Sequence, residues 1–260
     1  MREIKITKRA HDEIKRLFSP RTLINTLRTD PEITECIDNF TYDETLAQYD
    51  GIMSERTRLM CILASTLGCN SINEFKQYVD ACLNAGIKPR EIREIVYQAY
   101  PYMGVSQVVE YNLLLNDLFE NNFIRLPLDD QRTVGVGEEA LQSAGEALYN
   151  QAHGEGAAQR LVDSFPTGQK HIAHYIIAHC YGEYYTRNGI DMRHREFISF
   201  TFLASMGYCE KQLRLHVQAN KQLKATKQEM EAITTTILPW IGFPKALNAF
   251  DIINEVYDED

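Results

Sequence analysis

Residues 195–207, Arg-Glu-Phe-Ile-Ser-Phe-Thr-Phe-Leu-Ala-Ser-Met-Gly, repeat a pattern first met at residues 56–68, Arg-Thr-Arg-Leu-Met-Cys-Ile-Leu-Ala-Ser-Thr-Leu-Gly. In each, an arginine stands twelve residues before a glycine, and the apolar run between them carries Leu-Ala-Ser. A run apolar on most faces reads as a buried central helix. The likeness extends outward over residues 51–120 and 190–258. Pro101-Tyr102-Met103-Gly104 answers to Pro239-Trp240-Ile241-Gly242. After a one-residue indel between Gly68 and Asn73, Val79, Ala81, Glu91, Ile95 and Asn116 answer to Val217, Ala219, Glu229, Ile233 and Asn254. Similarity in this order and spacing implies two similar folding units.

Both units read as all-α. Strand-like alternation is not sustained anywhere, and Gly and Pro are sparse. Asp30-Pro31 places a cap before a proline at the first helical position. Phe75, Val79, Cys82 and Leu83 fall at helical spacing, with Gly86 closing that helix. Lys88-Pro89 opens the next one, and Pro101 is expected to end it. Thr226 and Glu229 form a capping box, each satisfying a free backbone donor of the first turn. Between Asn121 and Gly137, Leu126-Pro127-Leu128-Asp129-Asp130 and Val134-Gly135-Val136-Gly137 read as an ordered linker. A new helical pattern starts near Glu138. The expected units are therefore residues 1–130 and 131–260.

Bulk composition excludes several functions. The net charge of −9 repels nucleic acid, and no Lys/Arg stripe offsets it. No run approaches the roughly 18 apolar residues needed to span a membrane. Met1-Arg-Glu-Ile-Lys-Ile has no apolar signal core, so a cytoplasmic protein is expected. The six cysteines, at 36, 61, 69, 82, 180 and 209, show no C-x-x-C and read as buried thiols.

Several stretches of the second unit, in this order, resemble the carboxymuconolactone decarboxylase family. They are Tyr181-Gly182-Glu-Tyr-Tyr-Thr-Arg187, Gly189-Ile-Asp-Met-Arg-His-Arg195-Glu196-Phe, Leu-Ala-Ser-Met-Gly207, Leu213-Arg-Leu-His216-Val and Pro239-Trp-Ile-Gly242-Phe-Pro-Lys-Ala-Leu-Asn. The resemblance covers nearly all of residues 140–258 and, more loosely, 51–120. It implies an all-helical fold of about six helices per unit, assembled in rings, so that a tandem chain would form a homotrimer imitating a hexamer. It also implies a small-molecule substrate and no cofactor. The related alkylhydroperoxidase-D type reduces peroxides through a C-x-x-C-x-x-x-H motif and an upstream glutamate, which brings peroxiredoxin activity into consideration.

The chemistry points to His216. Loss of carbon dioxide from a carboxylated lactone leaves an extended enolate whose carbon must be protonated, and an imidazole can supply that proton near neutral pH. Arg195 and Arg187 are candidates to hold a carboxylate or oxyanion, and Glu196 to orient His216 or move a proton. Cys209, seven residues before His216, stands where the peroxidase motif has its first cysteine. The second would fall at Gln212, which cannot form a disulfide. Seven helical residues rise about 10 Å, too far for direct proton transfer from Cys209 to His216. A thiol peroxidase using Cys209 is the alternative to a decarboxylase, and a non-catalytic helical scaffold or small-molecule binder is a third reading.

Gln212, His179 and Trp240 are carried as further candidates to line the pocket. His171, His174 and His179 do not converge on a helix and lack a carboxylate at ligand spacing, so no metal site is expected. In the first unit Thr57, Ser71, Glu74 and Tyr78 stand where the second has Glu196, Cys209, Gln212 and His216, so the first reads as a structural half.

Overall fold

A computed structural model describes residues 4–20, 23, 26–135 and 137–258. Met1 to Glu3 of the N-terminal segment and Val136 of the linker lie outside the described residues. The fold is all-α, and no strand occurs among the described residues. In chain order the helices are α1 (Lys8–Leu17), α2 (Pro31–Asn39), α3 (Thr45–Ala47), α4 (Glu55–Gly68), α5 (Ile72–Asn84), α6 (Pro89–Met103) and α7 (Val105–Asn121). After the linker come α8 (Glu138–His153), α9 (Ala157–Ser164), α10 (Lys170–Tyr175), α11 (Met192–Met206), α12 (Glu210–Gln222), α13 (Lys227–Ile241) and α14 (Phe243–Asp258). A wider, π-type coil joins α2 to α3 over Phe40–Glu44, and another follows α10 over Ile176–Tyr185.

The quartets α4–α7 and α11–α14 correspond in length and in their ends. Ser54 and Asp191 cap the first helix of each, their side chains accepting from Thr57 N and His194 N. Gly104 and Gly242 end the third helix of each at φ 76° and 77°. Pro101 does not end α6 as expected. The helix runs on to Met103, as α13 runs through Pro239 to Ile241, and glycine is the stop. A proline in the last turn forfeits one bond near the end of the ladder, whereas a left-handed glycine reverses the chain.

The two central helices lie side by side, start to start. Thr57 Oγ1 lies 3.1 Å from His194 Nε2 at one end, and Gly68 packs on Ser205 at the other. Both helices are buried on nearly every face, because each is enclosed by its own quartet and by its counterpart. The core is continuous across the linker. The largest apolar cluster takes Ile190, Ile198 and Phe202 from the second half, and the next takes Cys61 from the first.

The second half adds a tight seam between α8 and the π-type coil. A Cβ on Gly145 would stand 2.0 Å from Ile177 O, and one on Gly182 would stand 2.1 Å from Leu141 O. Only glycine lets these backbones touch. Alanine would improve helix propensity at Gly145 by about 1 kcal/mol, but the clash with a carbonyl oxygen outweighs that gain. Gly145→Ala is expected to lower stability by about 2–3 kcal/mol, read as a fall in the midpoint of chemical denaturation. Gly168→Ala, with nothing within 4 Å, is the matched control and should stay within about 0.5 kcal/mol of the parent.

Candidate active site

His216 sits in the middle of α12, on the face turned to α11. Its Nδ1 lies 2.6 Å from Glu196 Oε2, and its side chain is 12 % exposed while that of Glu196 is fully buried. Asn220, one turn on, donates to the carbonyls of His216 and Glu196 and ties the two helices together at this level. Burial pushes the Glu196 carboxyl up, but the neighbouring His216, through charge and hydrogen bond, holds it below its ordinary value. Glu196 therefore acts as an anion that fixes the imidazole with Nδ1–H directed to it. Glu196 Oε1 is buried with no close hydrogen bond among the described residues, and Tyr185 adds a weaker stabilisation of the carboxylate.

The other ring nitrogen faces the first half of the chain. Nε2 lies 3.3 Å from the hydroxyl of Tyr102, at the end of α6. That hydroxyl donates to Ser199 Oγ at 2.6 Å, and Ser199 Oγ also receives Gln98 Nε2–H at 2.9 Å and lies 2.5 Å from Tyr185 OH. Burial drives Tyr102 and Tyr185 well above the usual phenol range, so both remain protonated. Tyr102 has one proton and three acceptors within reach, Ser199 Oγ, Tyr185 OH at 3.2 Å and His216 Nε2. When Nε2 is bare it can take the Tyr102 proton; when Nε2 carries a proton, that proton points at the Tyr102 oxygen.

A second imidazole stands against the first. His153, at the end of α8, has its ring centroid 6.1 Å from that of His216, nearly perpendicular to it, and its Nε2 lies 2.7 Å from Tyr181 OH. Burial lowers His153 to about 4, so it is neutral at neutral pH. Cys180 on the π-type coil is half-buried beside Tyr102, and desolvation pushes its thiol up to about 12, so it remains a thiol. A stretch of π-type coil recurs at functional sites because it re-aims side chains that a regular helix would turn away. Here it presents Cys180, Tyr181 and Tyr185 together.

Of the catalytic and pocket residues singled out in the sequence, the structure places only Glu196 against His216. Arg195 faces away, fully buried between Glu94 Oε2, Gln98 Oε1 and the Arg187 carbonyl. Arg187 pairs with the same Glu94 carboxylate. Both arginines are thus held by protein groups instead of opening on His216. Cys209 starts α12, with Sγ directed to Leu203 O, and burial raises its thiol. Gln212 is exposed, and His179 is exposed and paired with Glu183. Trp240 lies in the first half's counterpart of the site, its Nε1–H donating to Glu74 and its ring edge-on to Tyr78. His171 and His174 are exposed.

Tyr102, Ser199, Tyr185 and His153 were missed in the sequence. Tyr102 was aligned with Trp240, and that alignment was the available signal: the same aromatic of each quartet crosses into the other half's site. Four main concavities indent the described surface, and His216 lines none of them. Among the described residues no group of three or more His, Cys, Asp or Glu side chains is placed to hold a metal ion, and no helix is long and apolar enough to cross a membrane.

Residues 171–255, which carry the His216–Glu196 pair, match the sequence model of the carboxymuconolactone decarboxylase family. No curated protein matches the chain at a significant level. A crystal structure from Burkholderia xenovorans LB400, provisionally named a gamma-carboxymuconolactone decarboxylase subunit, is similar in fold. It covers 99% of this chain and 100% of its own, at 17% identity and a TM-score of 0.57.

The buried groups fix the sign of the acid response. His153 titrates near 6.5 when unfolded and at about 4 when folded, so between these values the unfolded chain binds the extra proton. Stability should fall by up to about 3 kcal/mol as pH drops from 6.5 to 4. Glu196, depressed in the fold, contributes stability above its unfolded value that is lost as pH falls through its folded one. Denaturation curves from pH 4 to 7 should show this slope, and His153→Gln should flatten its upper part, between pH 5 and 6.5.

Proposed function

We propose that the chain is an acid–base enzyme of the carboxymuconolactone decarboxylase type, acting without cofactor on a small carboxylated lactone or a related acid derived from an aromatic compound. His216 is the proton carrier and Glu196 its positioning anion. The observation that supports this most is the 2.6 Å Nδ1–Oε2 pair, which fixes one ring nitrogen and leaves the other for proton exchange. Decarboxylation leaves the electron pair of the broken C–C bond on an extended enolate, and Nε2–H delivers a proton to carbon. The Tyr102 hydroxyl stabilises the bare nitrogen by hydrogen bond, and a proton from solvent restores Nε2–H. Residues 1–130 then serve as a largely structural half that lends Tyr102, and residues 131–260 as the catalytic half.

His216→Ala is expected to lower turnover of such lactones by about 10²–10⁴-fold, and Glu196→Gln by at least about tenfold. Reaction in deuterium oxide should place one deuterium on the product carbon, read by mass spectrometry. Unchanged turnover in His216→Ala overturns the reading. Cys209→Ser should keep full activity. The thiol-peroxidase alternative has little support, since the Cys209 thiol is raised and stands about two helical turns from His216.

A non-catalytic scaffold is favoured by one observation, the absence of His216 from the four main concavities. Failure of every carboxylated lactone to turn over, with no ligand protecting His216 from chemical modification, would favour it.

For the assembly we infer a homotrimer. Val105, Val109 and Leu113 leave an apolar stripe exposed on α7, and Phe243 and Leu247 leave one on the corresponding α14. Light scattering should give about three times 29.9 kDa, near 90 kDa. A monomeric mass overturns the inference.

A further inference from the structure

The largest of the four concavities, about 540 Å³, opens between α6 and the linker, away from His216. Arg93 lines it and is only 9% exposed. Its NH1 donates to Asn112 Oδ1 at 3.2 Å and its NH2 to Asn116 Oδ1 at 2.7 Å, while its Nε–H is buried without an acceptor. Among the described residues no carboxylate pairs with it. Arg187, on the same wall, shares the single carboxylate of Glu94 with Arg195. The guanidiniums of Arg93 and Arg187 lie 5.7 and 5.1 Å from the centroid of the Tyr97 ring.

The charges do not cancel where they are buried. Three guanidiniums, of Arg93, Arg187 and Arg195, face one carboxylate, a formal excess of two positive charges. The other carboxylates of the lining are at the rim. Asp130 is held by Arg132, Glu183 pairs with His179, and Asp129 is exposed, as is Arg90 opposite it. Buried cations are ordinarily neutralised, and a buried donor without a partner calls for an explanation. A planar guanidinium presents its donors as a fork that matches an oxyanion. The volume is that of a site for a small metabolite.

We propose that this cavity binds a small dianion bearing oxyanion groups, a dicarboxylate or a phosphate, with Arg93 as its principal partner and Arg187 as the second. The site is separate from the His216 site and independent of the reaction proposed there.

The test is titration calorimetry on the full chain with sodium succinate and with inorganic phosphate, against chloride at matched ionic strength. Asn116→Asp sets a carboxylate where the amide oxygen now accepts from Arg93 NH2, neutralising Arg93 without changing the shape of the site. Arg93→Gln removes the charge. Saturable binding of succinate or phosphate is expected in the parent and at least about tenfold weaker binding in both variants. Tighter binding of succinate assigns a carboxylate ligand, and tighter binding of phosphate a phosphoryl one. At low ionic strength Asn116→Asp should melt above the parent, which also shows that it folds. Absence of saturable binding of both anions, or unchanged affinity in Asn116→Asp, overturns the proposal.

Discussion

The Arg195 guanidinium is the constraint around which the rest is arranged. It is fully buried on the central helix of the second half, and its countercharge, Glu94, comes from α6 of the first. Gln98, one turn further along α6, grips both ends of the same residue, accepting from its NH1 and donating to its carbonyl. A charge this deep is tolerated only while its partners stay in place, since removing one leaves the other uncompensated. The two halves therefore cannot separate without stranding charge, and the apolar clusters that cross between them add to the same requirement. The cluster specifies register more than it adds stability, because desolvation offsets much of the ionic attraction.

From that register the site follows. Holding α6 against α11 places Gln98 on Ser199 and lets Tyr102, one turn beyond Gln98, reach Ser199 and His216. Glu196 is the next residue after Arg195, about 100° round the helix, and so points to a different face, toward α12. One helix thus carries two adjacent charged residues with opposite tasks: Arg195 locks the halves together and Glu196 orients the imidazole. The same cluster reaches outward through Arg187, which closes one wall of the arginine-lined cavity.

The helices and their pairing could be read from the sequence because they rest on local signals: apolar periodicity, caps, and glycines at turns. The His216–Glu196 pair could be read from the resemblance and the spacing. The destination of Arg195 could not, because a chain of letters shows a charge without its partner 101 residues away. The π-type coil gave no periodic signal, since its wider turn serves packing against α8, through Gly145 and Gly182, and not an amphipathic face of its own. The stop at Pro101 was misread for a local reason: a proline in the final turn loses too little to end a helix.

The exchange of aromatics accounts for the different filling of the two quartets. Each quartet sends the residue before its Met103-Gly104 or Ile241-Gly242 turn across to the other half. In the second half the visitor is Tyr102, whose hydroxyl completes a polar chain beside His216 and the Glu196 anion. In the first it is Trp240, a donor only, and the host offers Thr57 in place of the carboxylate and Tyr78 in place of the imidazole. With no buried anion to satisfy, that space is filled with rings: Tyr78 packs edge-on to both Phe18 and Trp240. Glu74 keeps to the indole N–H at the margin, its carboxyl raised by burial. Burying a second ion pair there would carry another desolvation cost within one continuous core, whereas aromatic packing contributes stability. One half filled its site with core, and the other half could retain a polar one.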